Sequence, residues 1–74
     1  MNALKVKKGE VVAKKQDKVM EWYLIQEGSV VRQFDFAEVV MNRNSIIGIL
    51  ENEWFACNYV AREDTTLIVI PCKD

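Results

Sequence analysis

At 74 residues the chain has room for one domain, and a domain of that size buries only about 60% of the surface its unfolded chain exposes, so each large apolar side chain is needed. Half of the residues are hydrophobic and the formal net charge is −1, which argues against disorder. No histidine occurs, so Ser-His-Asp and Cys-His catalysis lack a base, and a His-rich metal site lacks its ligands.

The predicted elements are short, β-rich and separated by turns, with no long stretch of period 3.6. Leu4 to Lys7 alternates apolar and basic residues and reads as a first strand, closed by Gly9. Val11 to Ala13 begins a second, and Lys14-Lys15-Gln16-Asp17-Lys18 has nothing to bury and reads as a turn. Met20 to Gln26 is rich in β-formers, and Glu27-Gly28-Ser29 predicts a tight hairpin turn into Val30 to Phe34. Phe36 to Met41 reads as another strand, Asn42-Arg43-Asn44 as a polar loop, and Ser45 to Ile49 as an apolar run ending near Gly48. Leu50 to Phe55 breaks the rhythm and is expected to be a short helical turn or a functional loop, with Trp54 and Phe55 closing the end of the fold in the preferred reading and offered to a partner in the other. Asn58 to Ala61 and Thr65 to Ile70 are predicted to form the last pair across Arg62-Glu63-Asp64. Pro71, with no N–H for a ladder, ends the final strand. The sum is an all-β antiparallel β-roll or jelly-roll barrel with flanking helices short or absent, occupying 1–74 as one domain.

Charge is polarised along the chain: the first eighteen residues carry a net +4 and the rest a net −5. Lysines beside an N-terminal strand protect an exposed sheet edge from pairing with another chain. No aromatic residue interleaves with them in sequence, so no direct nucleic-acid partner is expected. A membrane partner is not expected either, since no apolar run approaches the roughly 20 residues a spanning helix needs. Cys57 and Cys72 lack metal-ligand spacing, and no secretory signal precedes them. They read as free thiols of a cytoplasmic protein, with a disulfide between them the alternative.

Four segments in register carry a resemblance: the Lys7-Lys8-Gly9-Glu10 start, Tyr23-Leu24-Ile25-Gln26-Glu27-Gly28-Ser29, the Ile46-Ile47-Gly48 loop entry, and the closing Val60-Ala61-Arg62-Glu63-Asp64-Thr65-Thr66-Leu67. In order and spacing they resemble the cyclic nucleotide-binding domain family, over nearly the whole chain. The resemblance implies a cupin-like β-roll whose ligand phosphate is held by a cassette between two late strands, through backbone N–H groups and an Arg. It also implies a Glu after the loop glycine that accepts from the ribose. Here the glycine is Gly48, but Ile49 follows it, and the place of the phosphate Arg falls at Phe55, with Ala56 and Cys57 after it. Glu51 meets the ribose position only if the alignment slips by two, and Arg62 the phosphate position only with a larger slip. The candidate pocket is therefore Gly48, Ile49, Leu50, Glu51, Trp54, Phe55, Ala56 and Cys57, degenerate for phosphate and better suited to an apolar or aromatic group.

The function this implies is a non-catalytic regulatory or sensory module that has lost nucleotide binding, needs no cofactor or metal, and works through a small ligand, a protein partner or a second copy. A structural homo-oligomerisation or subunit-interaction domain is the first alternative, and a cyclic nucleotide or other small-ligand sensor with a shifted site the second. An enzyme on a cupin roll using Glu51 or Glu53 lacks an identifiable acid–base pair. The family's regulators carry a long helix after the roll, so a chain ending at Asp74 is expected to stand alone or to be the front of a longer protein.

Overall fold

The computed structural model describes residues 2–72; the domain ends expected at Met1 and Asp74 lie outside that range. Eight strands run in chain order: β1 (Asn2–Val6), β2 (Val11–Ala13), β3 (Glu21–Glu27), β4 (Val30–Gln33), β5 (Glu38–Met41), β6 (Ile46–Ile47), β7 (Asn58–Ala61) and β8 (Thr65–Pro71). No helix occurs among the described residues. The strands form two antiparallel four-stranded sheets, β1-β8-β3-β6 and β2-β7-β4-β5. Their inner faces share one core: Val6, Ile25, Ile47 and Leu67 from the first sheet meet Ala13, Val30, Tyr59 and Ala61 from the second. The roll is thus two packed sheets with open edges.

Alternation fixes which side chains reach that core, because successive residues of a strand point to opposite faces. In β7, Tyr59 and Ala61 are buried while Asn58 is exposed and Val60 half-buried. In β8, Thr65 and Leu67 are buried and Thr66 and Ile68 lie nearer the surface.

The turns behave differently from the sequence expectation. Glu27-Gly28-Ser29 does not close a hairpin, and β7 and β8 are not paired across Arg62-Glu63-Asp64. β3 and β8 lie in the first sheet and β4 and β7 in the second, so both turns are corners that carry the chain across the core. The pairs that form are β3 with β8, from Glu21↔Pro71 to Glu27↔Thr66, and β4 with β7, from Val30↔Ala61 to Gln33↔Asn58. Local turn chemistry fits a hairpin and a corner equally; the need of both sheets to bury an apolar face decides between them.

The two corners lock together. Gly28 has φ +92°, and a Cβ there would lie 2.5 Å from Thr65 Oγ1 and 2.7 Å from the Asp64 carbonyl, so only glycine fits. The Ser29 amide donates to Thr65 Oγ1 (3.2 Å), and the Thr65 hydroxyl lies 3.0 Å from the Ser29 carbonyl and 2.8 Å from that of Glu63. Ser29 Oγ donates to Glu63 Oε2 at 2.6 Å, which leaves the buried Ser29 and Thr65 satisfied.

Several boundaries also shift inward. β5 starts at Glu38 rather than Phe36, because the Phe34 amide donates to the Ala37 carbonyl and the chain turns there. Leu50 to Phe55 forms no helical turn. Instead it runs beside the lysine-rich loop: Phe55 N donates to Asp17 O, Gln16 N to Phe55 O and Val19 N to Glu53 O, with a bridge between Lys18 and Trp54. These bonds use the backbone groups that an isolated helical turn would leave unpaired.

Candidate functional site

The connection from β6 to β7 holds every residue of the sequence-derived pocket. It opens at Gly48, which is buried with φ +103° against Trp22; a Cβ would meet Trp22 Cδ1 at 2.9 Å. The Glu51 amide then donates to the Gly48 carbonyl at 3.1 Å, turning the chain back. Ile49, Leu50 and Trp54 project into solvent, with Leu50 87% exposed. Phe55 goes the other way: it is 5% exposed, and its ring packs edge-on against Tyr59 with centroids 5.6 Å apart. Cys57 is buried beside it, and Cys57 and Cys72 are free thiols.

The structure brings Glu51 and Ala56 together and adds Tyr59. Glu51 Oε2 accepts from the Ala56 amide at 3.1 Å and from the Tyr59 hydroxyl at 2.7 Å. Burial first, and then the hydrogen bond to Glu51, raise the Tyr59 phenol well above its ordinary value of 10.0, so it stays a protonated donor. The carboxylate therefore sits where two donors converge. Phe55 contributes an apolar ring to the core and no charge.

A cation on this inner face comes from another strand. Arg32 of β4 is the direct cross-strand partner of Tyr59 and shares its face with buried Val30. Its guanidinium carbon stands 4.9 Å from the Phe34 ring centroid and 5.7 Å from that of Tyr59, a cation–π sandwich. Its Nε is buried and has no hydrogen-bond partner. Sequence reasoning missed both Tyr59 and Arg32. Alternation within Asn58 to Ala61 would have put Tyr59 on the core face, but nothing local pairs it with Arg32, which is 27 residues away in the chain. Among the described residues no group of three or more Cys, Asp or Glu side chains is arranged to hold a metal ion.

No family model and no curated protein matches the sequence. Solved structures do match it, over nearly its whole length. The second cyclic nucleotide-binding domain of a protein kinase A regulatory subunit, PKAR CBD2 with Sp-2Cl-cAMPS bound, superposes with a TM-score of 0.84 at 15% identity, covering 95% of this chain and 51% of that one. The chain has the fold of a cyclic nucleotide-binding domain. A Geobacter metallireducens GS-15 protein provisionally named a cyclic nucleotide-binding protein gives 0.85 at 18% identity, over 95% of this chain and 55% of that one. The EAL enzyme Bd1971 in its halfsite-occupied form gives 0.80 at 19% identity, over 95% of this chain and 70% of that one. The present chain thus spans about half the length of the first two. Identities this low speak for the fold; what the site does rests on its own residues.

Proposed function

We propose that the chain is a non-catalytic regulatory or sensory module on the cyclic nucleotide-binding fold, in which the phosphate place of the cassette is filled from within by Glu51. The observation that carries this reading is the convergence of the Ala56 amide and the Tyr59 hydroxyl on Glu51 Oε2. A phosphate brought to the same donors meets a carboxylate. Two like charges about 4 Å apart repel by about 4 kcal/mol at the effective dielectric of a protein surface. Absence of the charge-assisted Arg contact removes on the order of 2–5 kcal/mol more, so either effect alone weakens a cyclic nucleotide by roughly thirtyfold to several thousandfold. The fold does not need the ligand, since Phe55 and Cys57 complete the core at this end. Ile49, Leu50 and Trp54 are exposed around the same connection, which supports an apolar or aromatic contact there over a phosphate.

Calorimetric titration of cyclic AMP and cyclic GMP into the purified protein tests this. The expected result is no saturable heat at millimolar nucleotide. Micromolar binding would overturn the reading and would mean that Glu51 is displaced by the ligand.

A further inference from the structure

The second sheet has an outer face that no described residue covers, and its register builds a continuous apolar row across it. Val11 pairs with Val60, Val60 with Val31, and Val31 with Val40, one valine from each of β2, β7, β4 and β5. Cross-strand partners share a face, and Val60 and Val31 each stand next to residues that point into the core, so all four valines point outward. Val11 is 49% exposed and Val40 44%, with Val31 and Val60 half-buried. A shallow depression of about 220 Å³ lies over the two central valines, Val31 and Val60, bounded by Lys8 and Arg62 at one corner and by Glu38 at the opposite one.

The charge arrangement selects the occupant. Lys8 and Arg62 lie at the end of the face where the chain enters β2 and leaves β7. Glu38 lies at the diagonally opposite end, where β5 begins. A two-fold axis in the plane of the face, along the other diagonal, lays each copy's Glu38 on the partner's Lys8 and Arg62 while the valine rows meet at the centre. Acids stand near the cationic corner as well: Glu63 accepts from Ser29 Oγ, to which Arg62 Nη1 also donates at 3.4 Å, and Asp64 accepts from the Lys8 amide, but neither borders the depression. Such an axis crosses the strands of the two copies at a steep angle, one of the two standard ways that sheets pack face to face.

We propose that this face is a homodimer interface, two copies stacked sheet on sheet through the row Val11, Val60, Val31 and Val40. Four strands and four residues of each give a patch of roughly 19 by 14 Å, which is small for a stable complex, so the dimer is weak and concentration-dependent.

Sedimentation equilibrium of the whole protein reads this out. The apparent mass is expected to rise from the 8.6 kDa of one chain towards twice that value. The rise is expected to be centred near ~100 μM, between the millimolar and micromolar affinities of weak complexes. Val40→Lys, on an exposed edge strand where it leaves the core intact, is expected to weaken association at least ~10-fold by burying an unpaired charge. Glu38→Lys and Lys8→Glu are each expected to weaken self-association severalfold, whereas an equimolar mixture of the two regains it, because their heterodimer restores opposite charges at both corners. A monomer mass at ~1 mM, unchanged association of Val40→Lys, or a mixture no stronger than its components would each overturn the proposal; ~1 mM is about tenfold above the expected midpoint.

Discussion

The two ends of the roll solve the same problem in opposite ways. At the corner end, two crossing turns are sealed by short polar groups: Gly28 lies against Thr65, and Ser29, Thr65 and Glu63 bond to one another. At the cassette end, Phe55 and Cys57 plug the core while Ile49, Leu50 and Trp54 stay in solvent and Glu51 occupies the convergent donors. Close packing and full hydrogen bonding leave the corner no tolerance for change. The cassette end is tied down by backbone bonds to the 16–19 loop, so its outward side chains are free to vary or to meet a partner.

Substitutions at the two ends sharpen that contrast. The largest effect is expected from Gly28→Ala, which drives a Cβ into the Asp64 carbonyl and Thr65 Oγ1 at a positive φ, for a loss of about 3 kcal/mol in chemical denaturation. Gly9→Ala is its control: φ is also positive, at +91°, but nothing lies within 4 Å, so about 1 kcal/mol of backbone strain is expected. Equal losses at the two glycines would mean that the corner is not tightly packed. Next comes Thr65→Val, which removes the acceptor of the buried Ser29 amide and is expected to cost about 1–3 kcal/mol. Smallest is Leu50→Ser at the cassette end, where an exposed side chain contributes within about 0.5 kcal/mol of nothing. A large loss there would show that Leu50 is covered in solution.

Much of this was legible in the chain. Runs such as Tyr23 to Ile25 and Thr65 to Ile70, cut by Gly9, Gly28, Gly48 and Pro71, mark the strands and turns locally, because alternation and turn chemistry act over a few residues. The absence of histidine was equally plain. The site was half-legible: Gly48, Phe55 and Ala56 could be placed by counting from the closing strand. That Glu51 reaches the Ala56 amide and the Tyr59 hydroxyl could not, because the bend from Gly48 to Glu51 sets that distance.

By itself, then, the sequence determined an all-β domain of short strands and its resemblance to the cyclic nucleotide-binding roll, since periodicity and turn residues are local properties. Tertiary structure alone decided that the Gly28 and Arg62 turns are corners, that Arg32 stacks between Phe34 and Tyr59, and that Val11, Val60, Val31 and Val40 line up across one face. Each of these depends on which strands pair, and pairing is settled by burying two sheet faces at once, a condition no local stretch of sequence contains.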